Sequence, residues 1–167
     1  EYLPVFDELR SLYEEGVQIK YFEGNHDFFL HSFFSEQFGM EVDVHPNGGE
    51  ERLGENRVFI AHGDLSNPRQ WAYRIFRRML KNSLTYRLIH LAGSRISRQV
   101  AKKLSDMSYE KYHSDFQPSS PPAFRAFAHQ KFLEGFEIVI LGHSHFQEEA
   151  EERAHGRRCL YYNVGDW

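Results

Sequence analysis

Three hydrophobic runs in this chain end in the same way, and that repetition limits the fold more than any other feature. "VQIKYF" at 17–22 leads into "EGNHD", "NRVFI" at 56–60 into "AHGD", and "EIVIL" at 137–141 into "GHSH". Each run is rich in β-formers and stops abruptly at glycine with polar neighbours. Helical spacing fills the intervals: Leu3, Phe6, Leu9, Leu12 and Tyr13 precede Gly16, while Phe124, Phe127, Ala128 and Phe132 precede Gly135. Strands alternating with helices predict a layered α/β architecture. In such sheets ligand groups collect where strands end, so the three polar strand ends are the candidate site.

The remaining segments fit between these markers. Residues 31–38 form a short aromatic helix stopping at Gly39, and "EVDVHPNGGEERL" reads as a strand, a Pro-Asn-Gly-Gly turn and a return strand. Residues 67–112 read as a helical insertion, with Trp71, Ile75 and Met79, then Leu84, Leu88 and Leu91, on apolar stripes and a break at Gly93. "DFQPSSPP" is a loop leading into the Phe124 helix, and "RCLYYNVGDW" is the last strand. With 167 residues, 41% of them hydrophobic, residues 1–167 suit a single domain carrying the 67–112 insertion as a lid.

Charge is distributed unevenly. The net charge is −4, yet no Asp or Glu lies between Leu65 and Ser105, where ten of the 20 basic residues fall. So one-sided a block needs an anionic partner or an acidic neighbouring surface. No apolar run approaches the about 20 residues of a membrane span, and no signal-peptide pattern opens the chain. A single cysteine, Cys159, suits a reducing compartment. The expectation is a cytoplasmic protein, peripheral on the inner membrane face where the basic insertion meets anionic lipid.

Imidazoles and an amide oxygen suit first-row divalent ions, so Asn25, His62, His143 and His145 together are candidate ligands for manganese, iron or zinc. A bend at the strand end could turn His143 and His145 toward two neighbouring ions. A lone histidine at a strand end is ordinarily structural; three polar strand ends in order are not ordinary. His31, His45, His90, His113, His129 and His155 have no such setting and read as surface or core residues.

"GNHD" at 24–27, "HGD" at 62–64 and "GHSH" at 142–145 together resemble the later motifs of the calcineurin-like metallophosphoesterase superfamily. The resemblance implies a layered α/β-β-α sandwich and a pair of divalent ions, manganese foremost, with iron or zinc as substitutes. Carried over by motif, Asn25, His62 and His143 would hold one ion and His145 the other. His26 would face the phosphate and Asp27 would orient His26. The superfamily also has an Asp-x-His and a Gly-Asp-x-x-Asp upstream of its Asn-His motif, and neither lies ahead of Gly24. "DVH" at 43–45 and "GDLSN" at 63–67 imitate them in the wrong order and read as decoys. The resemblance thus implies further strands upstream of Glu1, without which these residues alone would not hydrolyse phosphate esters.

Within the superfamily, "GNHDFF" and the insertion between "HGD" and "GHSH" are similar to the UDP-2,3-diacylglucosamine diphosphatases of lipid A synthesis. That similarity implies cleavage to UMP and 2,3-diacylglucosamine 1-phosphate, with a helical lid receiving acyl chains. Lys102, Lys103 and Ser108, with Asn25, would face the substrate head group. The chain departs from many of that group in having histidine at 26 where they have arginine. Two rivals follow from the same residues: a nucleotide or nucleic-acid phosphodiesterase using the basic block on phosphates, and an inactive scaffold of the same fold. Stripes of apolar residues rather than scattered aromatics speak against the first, and the intact Asn25 and histidines against the second.

Overall fold

A computed structural model describes residues 3–27, 29–82, 84, 85, 87, 88, 91 and 122–165. Lys102, Lys103 and Ser108, and most of the 67–112 insertion, lie outside the described residues. In chain order the elements are α1 (Leu3–Glu14), β1 (Lys20–Phe22), α2 (Leu30–Phe33), β2 (Asp43–His45), β3 (Gly49–Leu53), β4 (Asn56–Ile60), α3 (Trp71–Leu80), α4 (Pro122–Leu133), β5 (Ile138–Leu141), β6 (Gln147–Ala154) and β7 (Arg157–Val164).

The main sheet has five strands in the order β3-β4-β5-β7-β6. Its centre is parallel, with Val58 opposite Ile138 and Ile138 opposite Leu160, and an antiparallel strand closes each edge. Helix α4 covers one face. Its Phe124, Ala128 and Phe132 recur every four residues and pack on Val139, Leu141, Cys159 and Tyr161, all buried. Parallel neighbours with a covering helix give the layered α/β arrangement expected of a metallophosphoesterase-type fold. A second cluster, Phe34, Met40 and Val42 with Phe6, Leu9, Tyr13, Ile19 and Tyr21 against it, joins α1 and α2 to the small parallel pair β1–β2.

Three local expectations change. The strand foreseen at 17–22 is ordered as strand only from Lys20. The helix foreseen at 31–38 is a single α-turn continued by a wide π-turn over Phe34–Phe38, which Gly39 closes in the left-handed conformation (φ 65). The third change matters for topology: β2 and β3 do not pair as a hairpin. Strand β2 joins β1 in parallel, whereas β3 joins β4 antiparallel. The cause lies in the turn, because Gly48 has φ 85 and a side chain there would meet the Ala61 Cβ at 2.6 Å. The glycine lets the chain pass beneath the end of β4 and cross from one sheet to the other.

Strand β6 has no counterpart in the sequence reading. It returns to β7 through His155 and Gly156, both at positive φ (51 and 75), which is the twist a tight hairpin needs. Its inward glutamates are matched from α4, Glu148 by Arg125 and Glu152 by His129.

Candidate metal centre

The topology puts two of the three polar strand ends side by side in the main sheet, and the third belongs to the small sheet. Strands β4 and β5 are parallel neighbours, so the residues just beyond them meet: the Ala61 N–H donates to the Ile140 carbonyl at 3.1 Å and the Gly142 N–H to the His62 carbonyl at 2.9 Å. Little room separates them. Gly63 has φ 104, and a Cβ there would lie 2.9 Å from the Phe124 ring and 3.1 Å from the Gly142 carbonyl. Glycine is therefore what allows the "HGD" turn to lie against the "GHSH" turn.

That approach brings His62 Nε2 to 3.0 Å from His143 Nδ1. From the other sheet, the turn after β1 brings Asn25 Oδ1 to 3.0 Å from the same His62 nitrogen. The structure thus brings Asn25 and His143 to the same nitrogen of His62. In its ring plane His62 Nε2 offers either one proton or one lone pair, so it can match only one of these two neighbours well. A cation among the three donors would satisfy all of them, and imidazole nitrogen with amide oxygen is the donor chemistry that first-row divalent ions take. The residues present fit such an ion.

Electrostatics keep the donors in ligand form. Burial lowers the proton affinity of His62, and burial followed by the adjacent His62 pushes His143 down to about 4. Both rings are accordingly neutral near pH 7, as metal ligands must be. His143 and His145 both adopt left-handed backbone (φ 68 and 59), so the segment curls around the buried Ser144 instead of continuing the strand. His145 lies near enough for its charge to weigh on His143, and His26, exposed at its turn, acts on both His62 and His143.

Asp27 is engaged on its own turn. Its Oδ2 accepts the Gly24 N–H at 2.9 Å and the Tyr21 hydroxyl at 3.2 Å, bracing the turn that carries Asn25. Tyr21 is pushed up to about 12 by burial and by that carboxylate. Gly24 is squeezed from both sides, since a Cβ there would lie 3.2 Å from Asp27 and 3.2 Å from the His62 ring.

Several polar residues at this edge escaped the sequence reading. Glu23, Asp64 and Arg77 are buried, at 4%, 5% and 5% exposure. Arg77 Nε lies 2.6 Å from Asp64 Oδ2, and Lys81 donates to Glu23 Oε2 at 2.7 Å. Two members of the basic block therefore find their anions inside the protein. The available signal was position, because Glu23 and Asp64 each stand two residues from a proposed ligand. A further group, Asp43, His45 and Glu51 on β2 and β3, brings ligand atoms within 4.8 Å of one another and could hold a metal ion. Lys20 already sits on Glu51 there.

The fold is a mixed α/β arrangement consistent with a metallophosphoesterase-like protein. Comparison with curated proteins then gives a particular kinship. The UDP-2,3-diacylglucosamine hydrolase of Azotobacter vinelandii is 31% identical over 166 residues, 95% of this chain and 65% of that protein. Hydrolases of the same name from Haemophilus influenzae and Stenotrophomonas maltophilia are each 27% identical over 98% of this chain, covering 66% and 68% of their own lengths. The chain is similar to these UDP-2,3-diacylglucosamine hydrolases, and it spans about two thirds of their length. No family model matches the chain.

Proposed function

We propose that the protein containing this chain is a metal-dependent hydrolase that cleaves the diphosphate of UDP-2,3-diacylglucosamine to give UMP and 2,3-diacylglucosamine 1-phosphate. The observation that carries the reading is the convergence of Asn25, His62 and His143 on one point from three strand ends. The name shared by the relatives supplies the substrate. In this reading Asn25, His62 and His143 hold one divalent ion, manganese foremost, and His145 contributes to a second. When bound, the ions supply Lewis acidity that neutralises charge developing on the diphosphate. His26 stands exposed at the turn apex, where it can donate a proton to the leaving phosphate oxygen. Asp27 keeps that turn in shape through the Gly24 N–H.

Helix α3 supports the lipid side of the proposal. Trp71, Ile75 and Met79 are exposed at 68%, 54% and 64%, with Arg74 and Arg78 exposed between them. An apolar stripe flanked by guanidinium groups suits an anionic membrane surface and an acylated substrate. Among the described residues no helix is long and apolar enough to cross a membrane.

The test is release of UMP from UDP-2,3-diacylglucosamine by the full-length protein, alongside measurement of bound manganese. Manganese-dependent UMP release, lost in His62→Ala together with bound metal, is expected. Faster cleavage of short oligonucleotides than of the sugar lipid, or no binding of metal, would overturn the proposal.

A further inference from the structure

We propose that Arg77 and Lys81 are positioning residues: through buried ion pairs with Asp64 and Glu23 they clamp α3 onto the two turns that carry His62 and Asn25. Docking of α3 and filling of the cation site then strengthen each other. The inference rests on the metal-centre reading and concerns how that centre is held.

The first ground is the way α3 is attached. Its one buried residue is Arg77, while Trp71, Ile75, Phe76 and Met79 are all exposed. A surface helix ordinarily docks by its apolar stripe; among the described residues this one docks by charge. The Arg77 fork is fully engaged at its tips, with Nη1 donating to Asn47 Oδ1 and Nη2 to the Pro46 carbonyl, both at 2.7 Å. Its Nε faces Asp64 Oδ2, which also accepts the Tyr73 hydroxyl at 2.6 Å. One turn further on, Lys81 joins Glu23, whose other oxygen accepts the Leu30 N–H at 3.1 Å.

The second ground is where the anions sit. Asp64 is two residues beyond His62 and Glu23 two residues before Asn25, with glycine between them in each case. Gly63 and Gly24 give these short links no side chain of their own to pack, so the flanking carboxylates act as the fixed points of both turns. Partners that orient a ligand-bearing segment from behind set the metal affinity as well as the geometry. By linkage, an ion that needs the two turns in register must favour docked α3 to the same extent that docked α3 favours the ion.

The experiment titrates the full-length protein with Mn2+, reading free Mn2+ by electron paramagnetic resonance. Amide exchange at residues 23–27 and 61–66 is followed in the metal-free protein. Arg77→Met is expected to weaken Mn2+ binding about 10- to 100-fold and to speed exchange in both turns. Tyr73→Phe, which removes one hydroxyl from Asp64 and leaves the ion pair, is expected to shift both readouts less and in the same direction. Arg77→Lys, keeping the charge without the fork, should fall between. Lys81→Met and Tyr73→Phe carry the comparison if Arg77→Met does not fold. Mn2+ affinity and turn exchange unchanged within about twofold across the folded variants would overturn the clamp. A wild-type protein that binds no Mn2+ would overturn the metal centre itself and the coupling with it, whatever the exchange data show.

Discussion

Replacing Gly63 by alanine tests the reasoning that one missing side chain lets two histidine-bearing turns meet. The perturbation acts twice. At φ 104 an alanine sits in backbone space that L-residues rarely enter, which costs about 1–3 kcal/mol. Its Cβ would also lie 2.9 Å from the Phe124 ring and 3.1 Å from the Gly142 carbonyl. Phe124 is 5% exposed and held by the α4 core, so it cannot swing aside, and overpacking of this kind costs about 1–3 kcal/mol. Alanine recovers about 0.4–1 kcal/mol by restricting the unfolded chain. The net expectation is a loss of about 1–6 kcal/mol. With a urea slope near 2 kcal/mol per molar, the unfolding midpoint should fall by about 0.5–3 M. Because the clash pushes "HGD" away from "GHSH", Mn2+ binding should weaken in whatever fraction stays folded. A midpoint within about 0.3 M of wild type, with Mn2+ affinity intact, would refute the idea that this contact sets the distance between His62 and His143.

Other expectations follow from the same edge. His143 is held at about 4 against an ordinary 6.5, so between those values the unfolded chain binds more protons and stability rises with pH. In the metal-free protein that contribution should be complete above about pH 6.5 and vanish towards about pH 4. A shift of that size corresponds to about 3 kcal/mol, and urea unfolding across this window showing no slope would contradict it. Asn163, 1% exposed, donates to the Gly142 carbonyl and the Tyr161 hydroxyl at 3.2 Å each. Asn163→Ala should cost about 2–3 kcal/mol by leaving buried groups unmatched, measurable by the same urea titration. Cys159 is buried and burial raises its thiol, so an aromatic disulfide reagent should label it only when denaturant opens the fold. Rapid labelling without denaturant would mean that the α4 core leaves Cys159 open to solvent.

The parts legible in the sequence were those in which local pattern and tertiary role coincide. β-Rich runs stopping at glycine and histidine marked β1, β4 and β5, and parallel pairing of β4 with β5 was enough to bring His62 to His143. Elements held by distant partners were not legible. Strand β6 carries Glu148, Glu149, Glu151 and Glu152, a poor composition for a strand, and depends on the β7 ladder with Arg125 and His129 opposite its inward face. The Pro46-Asn47-Gly48-Gly49 segment has the chemistry of a hairpin turn. Its actual path is decided by contact between Gly48 and Ala61, 13 positions apart, which no local reading contains.

The basic insertion shows why charge is harder to place than hydrophobicity. An apolar stripe at a spacing of four says that one face of a helix differs from the other, and burial is its default interpretation. In α3 the default fails among the described residues. Trp71 and Met79 face outward, and Arg77 faces the body because Asp64 and Glu23 supply buried anions beside the donor turns. Buried charge is retained only with matched partners. The side that α3 turns inward is thus decided by two carboxylates whose positions are fixed by the strands ending in "EGNHD" and "AHGD". Among the described residues, the basic side chains of α3 and its end accordingly have different uses. Arg77 and Lys81 belong to the site edge, Arg74 donates from its guanidinium to the Leu65 carbonyl, and the exposed Arg78 remains for phosphate or lipid. Neutralising Arg78 should therefore weaken binding to anionic vesicles and leave Mn2+ affinity unchanged, whereas Arg77→Met should do the reverse. If both substitutions changed the same readout, the division would be wrong.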